Sequence, residues 1–262
     1  MVESCRRAVD LGLPSIAFTE HVDLTAWVVP DTSVAMFGTA AVHVGPDGRF
    51  RAPPVDVEGY FESVERCRWM YPDLQILSGV EVGEPHWFPD LTGQLLASGP
   101  FERVLGSLHS LEINGGPRLV DEWFRADGVA GETEAAAVRA YLAESITMIE
   151  SSDRFEVFAH IDYLTRQIVH AGRHHDAGAF EEEYRGVLVA LAATGRVLEI
   201  NTRIPLDPRI VQWWHEAGGP AVSFGSDAHQ GSAVGHGFAD AAAVAERAGF
   251  RPQVDPLSFW CR

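Results

Sequence analysis

The chain has 262 residues, 46% of them hydrophobic, and a formal net charge of −17. Such acidity excludes a surface built to wrap a nucleic acid polymer or to dock on an anionic membrane, since both need a basic face. It leaves room for a small phosphorylated ligand, which a few arginines and metal ions can neutralise locally.

Residues 2–12 read as an amphipathic helix stopped by Gly12. A strand over 15–18 follows, running on to Thr19-Glu20-His21. Residues 22–56 are rich in Pro, Gly and Asp and too long for an ordinary loop, so a decoration over the site is expected there. A helix over 57–71, a strand over 75–82, a helix near 91–98 and a strand over 103–109 come next. A second long connection, 110–130, precedes an alanine-rich helix over 132–151. The strand over 156–159 leads into a His-rich loop and a helix over 178–194. Strand 197–200, a helix over 207–217 with Pro208 in its first turn, strand 221–226 and a helix over 239–248 complete the order, before a short tail. Strands alternating with helices predict a parallel sheet, and six of them curled together make an incomplete barrel within a single domain, 1–262.

Membership of a reducing compartment fits Cys5, Cys67 and Cys261, which are too few and too scattered for a disulfide framework or a zinc motif. The first residues lack the apolar core of a signal peptide. No run approaches the ~20 apolar residues of a membrane span. A soluble, cytoplasmic protein is expected.

The six strands end alike. Their C-terminal ends carry His21, Glu81, His109, His160, Asn201, and Asp227 with His229. Polar residues collected at the C-terminal ends of barrel strands are how this architecture assembles an active site. Imidazoles and carboxylates without thiolates are the ligands of a divalent transition metal. Six such ligands, His21, Glu81, His109, His160, Asp227 and His229, exceed the needs of one tetrahedral zinc and point to a cluster of two or three metals. A carboxylate such as Glu81 would bridge them, and clustered metals lower the pKa of water and favour in-line displacement. Of the remaining histidines, His86 lies just past a strand end and is a secondary candidate for the pocket. His43, His170, His174, His175, His215 and His236 terminate no strand and read as surface or core.

Thr19-Glu20-His21, Gly79-Val80-Glu81, Gly106-Ser107-Leu108-His109, His160-Ile161-Asp162 and Gly225-Ser226-Asp227-Ala228-His229 resemble motifs of the polymerase-and-histidinol-phosphatase (PHP) superfamily. The chain is similar to its stand-alone histidinol-phosphatase branch from residue 1 to about residue 250. The resemblance implies a distorted seven-stranded, TIM-like (β/α) barrel holding up to three zinc, iron or manganese ions. It assigns Glu81 as a bridge between two metals, His109 and His160 to one site, Asp227 to another, and His21 and His229 to the third. It also implies an initial strand bearing His-x-His, whereas Met1 here already lies in the first helix. Six of the seven strands, an incomplete ligand set and open edges beside His21 and Asp227 are therefore expected of these residues.

Arginine suits the outer oxygens of a phosphate through its bidentate fork. Arg166 and Arg203 resemble the phosphate clamp of that branch, with Arg209 as a competitor for the second place, and Asp162 reads as a partner of a ligand. The resemblance implies metal-dependent hydrolysis of a small phosphomonoester, L-histidinol phosphate first. A PHP phosphoesterase acting on another small phosphate or a mononucleotide stays open, as does a non-catalytic metal-binding protein; the oligomeric state is left undetermined.

Overall fold

A computed structural model describes residues 1–29, 41–113, 115–120 and 133–262. Its main sheet takes the strands in the order β1 (Ser15–Asp23), β4 (Gln75–Gly83), β5 (Arg103–Ser107), β8 (Val157–Phe158), β9 (Val197–Asn201), β10 (Ala221–Gly225) and β11 (Trp260–Cys261). The first six are parallel, and they are the six strands the sequence predicts. Helices α1 (Val2–Asp10), α2 (Val57–Met70), α3 (Pro89–Ala97), α4 (Glu134–Ser151), α5 (Tyr163–His170), α6 (Glu181–Thr194), α7 (Pro208–Glu216) and α8 (Phe238–Ala248) intervene. The sheet curls into a half-barrel, as expected of an incomplete (β/α) barrel.

Local chemistry sets the helix starts. The Asp56 side chain accepts from Gly59 N at α2, Thr133 from Ala136 N at α4, and Asp207 from Arg209 N at α7, where Pro208 needs no donor of its own. Alternation then separates the two faces of the sheet. Phe158, Leu198, Ile200 and Val222 join the main core formed with Leu142, Leu188 and Trp214 of the helices. Their neighbours Leu105, Val157, Val197 and Ala221 form a separate small apolar cluster. A cleft of about 2140 Å³ runs from β1 to β10, lined by Ile16 and Phe18 on one side and Val222 and Phe224 on the other.

Four features depart from the sequence reading. The expected open edge of β10 is partly covered: β11 pairs antiparallel with Ala221 and Val222. The tail is held there because the Trp260 ring meets Phe224 edge-on at 5.0 Å and Arg103 lies 4.0 Å over the Phe259 ring. The supposed His-rich loop contains α5, which buries Leu164 and Ile168 one turn apart. The first long connection contributes a hairpin of β2 (Ala26–Val28) with β3 (Arg49–Arg51), and the second one of β6 (Ser110–Ile113) with β7 (Gly116–Leu119). These small sheets meet where Trp27 Nε1 donates to Ser110 Oγ at 2.5 Å. Residues 30–40 and 121–132 of those connections lie outside the described residues. No helix among the described residues is long and apolar enough to cross a membrane.

Candidate metal centre

Parallel register carries the strand ends to one place. His21 pairs with Glu81 across β1 and β4, and Glu81 with Leu105 across β4 and β5. Three described non-glycine residues have positive φ: Glu84 at 45°, His160 at 22° and Asp227 at 49°. All three lie just past the ends of β4, β8 and β10. A side chain resists this conformation, so its persistence at three strand ends marks a region where surrounding contacts fix the backbone.

Glu81, His109 and His160 converge. Glu81 Oε1 lies 2.9 Å from His160 Nε2 and 3.2 Å from His109 Nε2, and the two ring nitrogens are 3.4 Å apart. Both imidazoles are 3% exposed and the carboxylate 12%. The Tyr163 ring covers them at 4.8 Å from each imidazole. Burial alone would raise the Glu81 carboxyl, but the hydrogen bonds from His109 and His160 outweigh it and hold it well below the usual carboxylate range. Burial likewise opposes charge on His109, yet Asp23 and then Glu81 hold that imidazole well above its usual range.

A second group shares His109. Asp23 accepts from His109 Nδ1 at 3.1 Å through one oxygen and meets His21 Nδ1 at 2.7 Å through the other. Burial works against the Asp23 charge, but the two histidines keep its carboxyl low. The His21 and His109 rings stack at 4.6 Å, with His21 43% exposed toward the cleft. Asp23 was not a sequence candidate. It falls two residues after His21, on the same side of β1, and that i,i+2 spacing was the available signal. Gly83 makes room for it: a Cβ there would stand 2.3 Å from Asp23 Oδ1.

Asp227 and His229 belong to neither group of mutually close ligand atoms among the described residues. Instead they face arginines. Arg166 Nη1 donates to Asp227 Oδ2 at 2.9 Å and Nη2 to Asp162 Oδ1 at 3.2 Å, leaving Nε buried without a partner. Arg203, 48% exposed, reaches the Asp227 carbonyl and His229 Nδ1 at 3.1 Å each. Arg209 is tied up with Asp207 and Asp176. His86 is buried against Glu144 at 2.8 Å, away from these groups.

Residues 1–203 match the family model of the PHP domain. The chain belongs to the PHP domain family. Among curated relatives, this PHP chain is 25% identical to the histidinol-phosphatase of Lactococcus lactis, over 85% of its own length and 75% of the relative's. It is 26% identical to a protein named probable histidinol-phosphatase from Clostridium acetobutylicum, over 75% of this chain and 76% of that one. Among solved structures it resembles a histidinol phosphate phosphatase from Lactococcus lactis, crystallised with zinc, L-histidinol and phosphate. The TM-score is 0.69 at 21% identity, covering 94% of this chain and 86% of that one.

The donor set of this PHP chain suits a divalent metal. Two imidazole nitrogens and a carboxylate oxygen crowd within 3.4 Å of one another, and His160 Nδ1 is buried without a partner, so the ring's directed contact is the one at Nε2. Nitrogen and oxygen donors without thiolate are appropriate to zinc, manganese or iron. Asp23 on His109 Nδ1 turns that ring so that Nε2 faces the site, as a carboxylate behind a metal-bound histidine does.

Proposed function

We propose that this PHP protein is a metal-dependent phosphomonoester hydrolase whose leading substrate is L-histidinol phosphate, and that Glu81, His109 and His160 hold its first metal. The observation carrying this reading is the convergence of those three donors at the strand ends of a half-barrel, under the Tyr163 ring that Arg166 approaches at 5.8 Å. The names of the relatives support the substrate. A divalent metal bound there supplies Lewis-acid polarisation of the phosphoryl oxygen and makes water a better nucleophile near neutral pH.

The chain's own residues supply the rest. Arg203, the more exposed guanidinium, binds the outer phosphoryl oxygens as a fork. Arg166 holds Asp227 in position through Nη1 and is the second guanidinium for the phosphoryl group. His21, stacked on His109, and Asp227 with His229 are the donors left for further metals, in line with their places in the family motifs. Preorganised cations around a transferring phosphoryl group are the main source of rate in this chemistry. Phosphate release from a panel of monoesters, assayed with added zinc or manganese, tests the proposal. Preference for L-histidinol phosphate is expected, and equal turnover of simple sugar phosphates and mononucleotides would overturn the substrate assignment.

A further inference from the structure

Two buried carboxylates stand behind the centre without belonging to it. Glu84, fully buried just past β4, accepts from the backbone N–H of His109 at 2.7 Å and of Ser110 at 2.8 Å, both at Oε1. Its other oxygen accepts from Thr25 Oγ1 at 2.7 Å. Glu199, in the middle of β9 and 5% exposed, accepts at Oε2 from the backbone N–H of His160 at 2.9 Å and from Asn201 Nδ2 at 3.1 Å. Each donor histidine of the centre thus has its own peptide N–H held by a carboxylate from an adjoining strand, β4 beside β5 and β9 beside β8.

We infer that Glu84 and Glu199 are positioning residues, which fix the peptides of His109 and His160 so that both Nε2 atoms meet at Glu81. The need is clearest at His160, whose φ of 22° lies in a region a β-carbon disfavours. An ordinary strand end would relax that peptide and swing the ring away, and the bond to Glu199 prevents it. Room for Glu199 is provided by β10: a Cβ on Gly225 would stand 1.9 Å from Glu199 Oε1, so any side chain there would displace the carboxylate. Supports placed behind the donors of a metal site commonly change affinity 10- to 100-fold when removed.

The inference rests on the proposal that Glu81, His109 and His160 hold a metal, and the two can fail separately. Zinc affinity of the full chain is measured by competition with a chromophoric chelator, alongside urea unfolding of the metal-free protein. If the unaltered chain does not bind zinc, the metal reading fails. If it does, Glu199→Leu should bind roughly 10- to 100-fold more weakly, whereas Glu199→Gln, which keeps an oxygen for both donors, should stay within about threefold. Gly225→Ala offers a second route should the leucine variant not fold. It leaves the carboxylate in the chain but displaces it, and a loss of about tenfold or more is expected. Glu84→Gln should likewise keep zinc affinity. Folded Glu199→Leu or Gly225→Ala protein with unchanged zinc affinity would overturn the inference, as would a glutamine variant as weak as the leucine one.

Discussion

Arg166 offers a perturbation whose size follows from its surroundings. Its guanidinium is 2% exposed and neutralises Asp162 and Asp227, whose side chains are 8% and 18% exposed. Replacing it by methionine keeps the apolar stem and strands two carboxylates. Breaking a buried pair by removing one partner costs about 3–5 kcal/mol, and the partial exposure of Asp227 places the expectation near 3. Urea unfolding of the metal-free protein at neutral pH measures the loss. A second substitution, Asp162→Asn, removes one stranded charge and should return roughly 1 kcal/mol or more to Arg166→Met. Arg166→Met should also lose about 100-fold in kcat/KM, the scale of a lost charge-assisted contact to developing charge, while keeping the metal held by Glu81, His109 and His160. A stability loss below about 1 kcal/mol, or a double variant no better than the single, would refute the argument from burial. Loss of metal would show that Arg166 supports the centre instead of the substrate.

Arg203→Ala should raise KM and lower kcat/KM by about 100-fold with little change in stability, because its guanidinium is half exposed; unchanged steady-state kinetics would remove it from the clamp. Glu144 is held below the usual carboxylate range, first by the His86 ring and then by the Trp87 indole N–H at 2.9 Å, with its burial opposing them. A carboxyl depressed in the folded state adds stability above its ordinary range and loses it as pH falls through the lowered value. Glu144→Gln should therefore cost about 1–3 kcal/mol at neutral pH, with the gap closing in acid; a gap independent of pH would contradict this. Burial, followed by the neighbouring Cys67, pushes the Cys5 thiol up to about 12, so Cys5 should resist alkylation in folded protein at pH 8 while the half-buried Cys261 reacts, read by mass spectrometry.

The six parallel strands were legible because each is a short apolar run ending in a polar residue, and their order in the sheet is their order in the chain. The meeting of His109, His160 and Glu81 was legible for the same reason. Side-chain direction was not. Asp227 and His229 fall at the expected strand end, yet the described contacts turn them to Arg166 and Arg203, a choice set by one arginine on α5 and another just past β9. Asp23 escaped notice because β1 continues past His21, and Glu84 because its role depends on a positive φ that no residue type announces. β11 is two residues long, too short to show alternation, and is fixed by contacts of Phe259 and Trp260. In α5 the neighbouring histidines masked the Leu164–Ile168 spacing that signals a buried face.

The most direct test of the account measures metal content and phosphate release on the same preparations of the full chain and of Glu81→Ala. Glu81 Oε1 is the oxygen that both His109 and His160 approach, so its removal takes away the shared point of the donor set. The chain is expected to hold divalent metal and to release phosphate from L-histidinol phosphate, and Glu81→Ala to lose both together, with His174→Ala unaffected. A Glu81→Ala protein that keeps its metal and its turnover would contradict the assignment of the centre.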